Sequence, residues 1–413
     1  MSTNFKTKCS NTKTIFSVAL FISAFLALMA VINAAPPRWR PLAPDPNPGS
    51  GNGYSYRLFR AGATTVYDPT SNKLILFAGA SNSPAPNAPR FNDLWVLTNA
   101  NGLPVGNTAE WRNPIPDGAP GSPGHRYHHS AVYDVVHNRM IIYGGCGSNQ
   151  ASEGCRPIAN DVWVLSNANG EGGPPTWTRL FPTGTRPGAR QGHQAVYDPT
   201  TNSMIVWGGQ NGILGESCAP YAYQDVYVLT NANGLGGVPH WIRLPTTGGP
   251  PPGAFFSTAV YDSSNNIMTV FGGFGLINGD CIPTNSVWAL SHANGHGGTP
   301  VWTRLWYHDH PGSPPARFQH FAAYLPPPSN KMIIHGGKTT GGSFYNDTWV
   351  FSNANGLGGT PAWSRLQIPG NIPGPSSRWN AGGFDPVNNL VIMSFGDGNR
   401  DGPQWGAWVL TNP

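Results

Sequence analysis

Near-copies of one segment, residues 160–180, recur along the whole chain. The segment reads Asn-Asp-Val-Trp-Val-Leu-Ser-Asn-Ala-Asn-Gly, followed by glycines and prolines and then Thr-Trp-Thr-Arg-Leu. Its apolar run, residues 162–165, predicts a short strand. Asn and Gly tolerate positive φ, and Pro cannot extend a strand ladder, so the middle of the segment predicts a turn. A second strand is predicted to begin at Trp177.

A complete repeat unit contains four short predicted strands, which we call A, B, C and D. In the second copy these strands cover residues 130–134, 140–143, 161–165 and 177–180. Three markers each recur six times, about sixty residues apart, which indicates a repeat architecture. Strand B ends in a pair closed by Gly at 78–79, 144–145, 208–209, 272–273, 336–337 and 395–396. The strand C aromatics are Trp95, Trp163, Tyr227, Trp288, Trp349 and Trp408. The strand D tryptophans are Trp39, Trp111, Trp177, Trp241, Trp302 and Trp363.

Units of four antiparallel strands at such a period are typical of propeller blades. Paired glycines after an apolar strand B, an aromatic strand C and a Trp-opened strand D resemble the kelch repeat. The resemblance covers roughly residues 36–413 and implies an all-β fold, a six-bladed kelch-type β-propeller. The Gly-His…Trp-Asp pattern that would favour a WD-type propeller does not occur in the sequence.

The phase of the repeat predicts how the ring closes. Residues 37–42 resemble a strand D with no strands A to C before it, and residues 408–413 resemble a strand C with no strand D after it. Joining them completes a sixth blade and removes an open sheet edge. We therefore expect the last blade to be closed by an N-terminal strand D. The same strand could instead insert into a neighbouring molecule, and the sequence leaves this self-association open.

The first 35 residues predict a secretory signal peptide. Lysines precede an apolar run at residues 15–31, and small residues follow it at 33–35. An uncleaved membrane anchor is the alternative, because the apolar run is long. We expect a secreted protein, extracellular or periplasmic, whose propeller covers residues 36–413 and contains no membrane span.

The charge of the chain argues against a nucleic-acid partner. The 24 basic residues include three lysines in the predicted signal, so the remaining 21 nearly balance the 19 acidic residues. Binding to a phosphate backbone depends on a basic surface, and a propeller of almost neutral net charge lacks that support.

The cysteines predict two disulfides. Cys9 lies in the predicted signal, and four cysteines remain, all after a strand B ending: Cys146, Cys155, Cys218 and Cys281. An even number in an exported chain indicates disulfide bonds. Because Cys218 and Cys281 occupy equivalent loops of adjacent blades, we expect a bridge between them and a local bridge within the loop of the other two. Metal binding is the alternative, although no Cys-x-x-Cys spacing supports it.

The loops predict which face carries function. The A–B turns and the Asn-Ala-Asn-Gly C–D turns are nearly identical between blades, whereas the B–C and D–A loops vary and hold every mature cysteine. Binding sites usually occupy variable loops on a rigid scaffold. We therefore expect the site on the B–C/D–A face, around the central channel.

Arginines recur on that face at the start of strand A. They are Arg60, Arg126, Arg190 and Arg317, with Arg378 one residue out of register and Ala254 in the remaining blade. Three residues later stand His129, His193 and His320. The kelch resemblance implies that such arginines point into the channel mouth and bind carboxylates, since guanidinium groups form bidentate pairs with them. In the alternative, each Arg binds strand-end carbonyls and each His fills a buried polar niche.

Motifs for catalysis are weaker. His308, Asp309 and His310 have side chains that suit a metal, but a solvated loop is the favoured interpretation. The Cys, His and Tyr constellation of galactose oxidase-like kelch enzymes has no counterpart here, and the Ser-x-Asp-x-Gly-x-x-Trp boxes of sialidases are absent. We therefore expect no cofactor and no metal.

The sequence thus favours an exported kelch-type propeller that binds a glycan or an acidic extracellular ligand. Two alternatives stay open. One is a carbohydrate-active enzyme, an oxidase, epimerase or lyase, with its site at the channel mouth. The other is a structural or assembly protein.

Overall fold

The computed structural model describes residues 35–42, 60–81, 89–147, 155, 157–212, 218, 222–252, 255–370, 373, 381–394 and 407–413. Most of the predicted signal peptide and Arg378 lie outside the described residues. No helix among the described residues is long and apolar enough to span a bilayer.

The described strands form six antiparallel blades. Strand β1 (Arg38–Pro41) precedes blade 1, which contains β2 (Arg60–Ala61), β3 (Thr64–Asp68), β4 (Lys73–Ser81), β5 (Arg90–Thr98) and β6 (Glu110–Ile115). Blade 2 contains β7 (Ser130–Asp134), β8 (Arg139–Cys146), β9 (Ile158–Ser166) and β10 (Thr176–Leu180). Blade 3 contains β11 (Thr183–Gly184), β12 (Gln194–Asp198), β13 (Ser203–Trp207), β14 (Val226–Thr230) and β15 (His240–Leu244). Blade 4 contains β16 (Thr258–Asp262), β17 (Ile267–Phe271), β20 (Val287–Ser291) and β21 (Val301–Trp306), with a hairpin of β18 (Phe274–Ile277) and β19 (Asp280–Pro283). Blade 5 contains β22 (Phe321–Leu325), β23 (Lys331–His335), β24 (Thr348–Ser352) and β25 (Ala362–Arg365). Blade 6 contains β26 (Ala381–Asp385), β27 (Leu390–Ser394) and β28 (Ala407–Thr411), together with β1.

The burial of the strands explains why their sequences differ. Strands B, such as β13 and β27, are buried at every residue, because each blade is covered on both faces by its neighbours. Strands D lie at the outer edge, and β15 buries Trp241 and Leu244 while its other three residues are exposed. The continuous apolar runs therefore mark the middle of each blade.

The ring is closed by the N-terminal strand, as the sequence predicts. Strand β1 pairs antiparallel with β28, and Trp39 lies opposite Leu410. The innermost strands contact one another in the order β3, β7, β12, β16, β22 and β26, and β26 contacts β3. This confirms a six-bladed propeller whose last blade takes its strand D from the N-terminus.

Adjacent blades pack through aromatic rings near the B–C/D–A face. The ring at the end of strand B contacts the strand D tryptophan of the next blade, as in Phe77–Trp177 with 4.6 Å between centroids. The same ring contacts the recurring His of that blade, as in Phe77–His129 at 5.5 Å. The equivalent contacts between the last ring of strand B and the strand D tryptophan of the next blade are Tyr143–Trp241, Trp207–Trp302, Phe271–Trp363 and His335–Trp39. These contacts place the His side chains between blades.

The opposite face is joined by a repeated hydrogen bond, which we call the latch. The second Asn of a C–D turn donates from Nδ2 to the Asp that ends strand A of the preceding blade. Five latches occur among the described residues: Asn169–Asp68, Asn233–Asp134, Asn294–Asp198, Asn355–Asp262 and Asn101–Asp385. Blade 5 has Leu325 in the Asp position, and this residue lies in an apolar cluster with Val391 and Leu410. The uniform turns of this face therefore have a structural role.

Candidate functional site

The arginines at the start of strand A are buried in ion pairs within their own blades. Arg60 is fully buried, its Nη2 donates to Asp93 Oδ2 at 2.8 Å, and its Nη1 donates to the Ala78 carbonyl at 2.8 Å. The equivalent pairs are Arg126–Asp161, Arg190–Asp225 and Arg317–Asp347. Each of these arginines also donates to a strand B carbonyl, that of Gly144, Gly208 or Gly336.

This geometry differs from the expectation of free guanidinium groups at the channel mouth. Each of the four arginines donates to a carbonyl and a carboxylate of its own blade, as in the alternative in which each Arg binds strand-end carbonyls: Arg60, Arg126, Arg190 and Arg317. Arg378 lies outside the described residues. The aspartate partners were missed by the sequence reasoning, although the sequence holds a signal for them. Blade 4 replaces both members together, with Ala254 for the Arg and Ser286 for the Asp.

Two of these aspartates, Asp161 and Asp347, stay ionised because several donors hold them. Burial alone would raise the pKa of Asp161, but hydrogen bonds and charge from Arg126 and the indole N–H of Trp163 lower this pKa below its ordinary value. Burial would likewise raise the pKa of Asp347. Hydrogen bonds and charge from Arg317, together with the indole N–H of Trp349, lower this pKa below its ordinary value. The ion pairs therefore persist at neutral pH.

The recurring histidines connect adjacent blades. The Nε2 atom of His129 lies 2.7 Å from the Thr64 hydroxyl of the preceding blade. His193 and Ser130 form an equivalent contact at 2.8 Å, as do His320 and Thr258 at 2.7 Å. Burial, followed by the positive charge of the neighbouring arginine, lowers the pKa of each of these histidines well below 6.5. The imidazoles are therefore neutral, which suits a structural role between blades.

A chain of backbone hydrogen bonds joins successive blades just before the innermost strands. His128 donates its N–H to Gly62, Gly192 donates to His128, Phe256 donates to Gly192, and Gln319 donates to Phe256. All five residues have φ between 57° and 62°. A Cβ at Gly192 would lie 2.6 Å from the Phe256 ring, so this glycine is required where the aromatic side chain folds over it.

These residues also line a central cavity of about 210 Å³. It is lined by the first residues of the innermost strands, with the small side chains Ala131, Ala195 and Ala259 and the hydroxyl groups of Thr64 and Thr258. No carboxylate lines this cavity in the part of the chain that the structure describes. Three of the histidines that line it, His129, His193 and His320, are neutral because burial lowers their pKa.

Both disulfides lie on the B–C/D–A face. The structure pairs Cys146 with Cys155 and Cys218 with Cys281, the arrangement that the sequence predicts. The first bridge packs against Tyr127. The second joins blades 3 and 4 and packs among the aromatic residues Phe255, Phe256 and Phe318.

The candidate metal loop is occupied by internal contacts. His308 Nδ1 lies 2.8 Å from the Asn285 side-chain oxygen, and the ring of His310 packs on Trp306. Over the described ranges, no three His, Cys, Asp or Glu side chains are grouped so that they could hold a metal ion.

Comparisons with known proteins agree with this architecture. The sequence profile of the KLHDC2/KLHL20/DRC7 Kelch-repeats domain matches residues 158–394, more than half of the chain. The solved structure of YjhT superposes with a TM-score of 0.55 at 15% sequence identity, covering 87% of this chain and 95% of that one. At this identity the likeness concerns the fold alone. From its repeats, its blades and the profile match, the chain belongs to the kelch-repeat family.

Proposed function

We propose that this kelch propeller is an exported binding module that holds a glycan or an anionic extracellular partner on its B–C/D–A face and carries out no chemistry itself. The kelch propeller fold suggests a binding or protein-interaction module. The finer assignment rests on one observation, the difference between the two faces. The A–B/C–D face is occupied by five repeated latches, whereas both disulfides and the variable loops lie on the other face.

The disulfides also support an extracellular or periplasmic location. Disulfide bonds form and persist in oxidising environments, so two of them suit an extracellular or periplasmic protein. They hold loops in place without using the blade interior, and a rigid loop loses less conformational entropy when it binds a ligand. The bridge between Cys218 and Cys281 restrains two adjacent blades at once.

The experiment is a thermal-shift and immobilised-glycan screen of the secreted protein against neutral, uronic-acid and sulfated sugars. We expect anionic sugars to raise the melting temperature without turnover. Leu276→Glu, in the hairpin on the B–C/D–A face, should weaken that binding through added negative charge. The matched control Val136→Glu changes an exposed valine of an A–B turn on the opposite face, and it should leave the binding of anionic sugars unchanged. Turnover of a sugar, or loss of binding only in the control variant, would contradict the proposal.

A further inference from the structure

Arg90 differs from the other arginines of the B–C/D–A face because its charge is buried without a carboxylate partner. The residue begins β5, and 8% of it is exposed. Its Nε and Nη1 atoms have no hydrogen-bond partner within the described part of the chain. Among the described residues, its Nη2 donates to the Tyr127 hydroxyl, at 3.4 Å. The Nε and Nη1 atoms are both buried donors that lack an acceptor among the described residues.

The paired arginines show what this position lacks. Arg60, in the same blade, has both ends of its guanidinium on the Asp93 carboxylate. A buried charge without a partner destabilises the fold, and this penalty falls when an opposite charge supplies hydrogen bonds. An added anion would therefore supply acceptors to the buried donors of Arg90 that lack one among the described residues.

The surroundings of Arg90 hold it in one orientation. Its guanidinium carbon lies over the Tyr127 ring, 4.6 Å from the ring centre, and its Nη2 donates to the hydroxyl of the same side chain. Tyr127 in turn exchanges two backbone hydrogen bonds with Cys146, at 3.1 and 2.8 Å. Because Cys146 is bridged to Cys155, the disulfide supports the ring that orients Arg90.

We propose that Arg90 is an anion-binding residue, which accepts a carboxylate or sulfate group between blades 1 and 2. Both groups present oxygens that match the guanidinium edge in bidentate fashion. In a site shielded from water such bonds are stronger than at an exposed arginine. The inference rests on the proposed function, since it names the residue that would recognise the anionic group of a glycan or partner.

The test compares wild type, Arg90→Met and Arg112→Met by titration calorimetry. Arg112 is the matched control, an exposed strand D arginine paired with Glu110. Methyl glucuronide probes the carboxylate, sodium sulfate probes the sulfate group, and methyl glucoside is the neutral probe. We expect at least one anionic probe to bind wild type and Arg112→Met equally, and Arg90→Met at least tenfold more weakly. The neutral probe should not distinguish the three proteins.

A second measurement keeps the test independent of folding defects. Arg90→Lys keeps the charge but loses the planar fork, so it should fold and still bind the anion more weakly than wild type. Equal binding by wild type and a folded Arg90→Met would overturn the role of Arg90 and leave the proposed function standing. Absence of binding of either anion to wild type would overturn the inference, while binding of a neutral glycan in the wider screen would still support a binding module.

Discussion

Asn101 donates a hydrogen bond from Nδ2 to Asp385 Oδ2 at 2.8 Å and so joins the first blade to the last, across 284 positions of sequence. Burial opposes ionisation of Asp385, but the hydrogen bonds from Asn101 and Asn388 lower its pKa below the ordinary value. Closure of the ring therefore uses a polar contact on one face in addition to the strand pairing of β1 with β28.

Removing this latch should destabilise the closed ring. Asn101→Ala takes a donor from a buried carboxylate, and we expect the free energy of unfolding to fall by about 1–3 kcal/mol. Urea denaturation measures the change. Asn107→Ala, at an exposed position of the same C–D connection, is the control and should stay near wild type. If Asn101→Ala leaves the free energy of unfolding unchanged, the latch contributes nothing measurable to closure.

Arg190 should stabilise the fold, not bind the ligand directly. Arg190→Ala leaves the Asp225 carboxylate without its cation, and we expect a loss of about 3–5 kcal/mol. The double change Arg190→Ala with Asp225→Ser reproduces the pair found in blade 4 and should lose less than the two single changes together. Thermal and urea unfolding measure this cycle. A stable Arg190→Ala that loses only its anionic ligand would restore the direct binding role.

Stability should fall as the pH drops below about 6.5. Burial lowers the pKa of His335 to about 3, so this residue stays neutral in the fold while the unfolded chain takes up a proton. The unfolded state then binds more protons, and the free energy of unfolding decreases with acid, by about 2 kcal/mol per such histidine at pH 5. His129, His193 and His320 act in the same direction. Below about pH 4 the free energy of unfolding decreases further, because the aspartates of lowered pKa are still ionised in the fold while they already bind protons in the unfolded chain.

His335→Phe tests this pH dependence. Phe77 and Phe271 hold the equivalent position in other blades, so the ring fits the site. We expect a smaller loss of stability between pH 7.5 and pH 5 than in wild type, measured as the urea midpoint at each pH. Val136→Ala, an exposed change that involves no titratable group, should keep the wild-type slope. An unchanged slope in His335→Phe would show that this imidazole titrates in the fold.

The N-terminal strand should contribute strongly to stability. Trp39 is 4% exposed, and its indole N–H donates to the Thr348 hydroxyl at 3.1 Å. Trp39→Ala removes a large buried ring, and we expect a loss of about 3–5 kcal/mol. Arg38→Ala, at an exposed position of the same strand, should have little effect. Sedimentation over a range of concentrations tests the alternative that this strand is exchanged between molecules, which would give dimers or chains.

The two disulfides should differ in how much each contributes to the free energy of unfolding. The Cys218–Cys281 bridge closes a separation of 63 residues and the Cys146–Cys155 bridge one of 9. Loop-closure entropy predicts about 4 kcal/mol for the long loop and about 3 for the short one. Paired Cys→Ser substitutions measured by thermal unfolding test this order, and peptide mapping without reduction tests the pairing. A peptide joining Cys155 to Cys218 would contradict the structure.

Much of the architecture follows from sequence alone. The strand markers, the number of blades, the N-terminal closure and the cysteine pairing could all be predicted, because they depend on periodic patterns and loop equivalence. Periodicity reports which residues share a strand and a face, and a closed ring then follows from the phase of the repeat.

The role of the arginines was decided only by the tertiary structure. The sequence places Arg126 at the start of strand A, but its partner Asp161 lies 35 residues later, on strand C of the same blade. The latch between Asn169 and Asp68 spans 101 residues and joins two blades. That two buried donors of Arg90 lack an acceptor among the described residues is likewise visible only when the neighbouring blade is packed against it. Repeat patterns encode local strand structure, whereas the direction of a side chain and the charge it meets depend on which blades become neighbours.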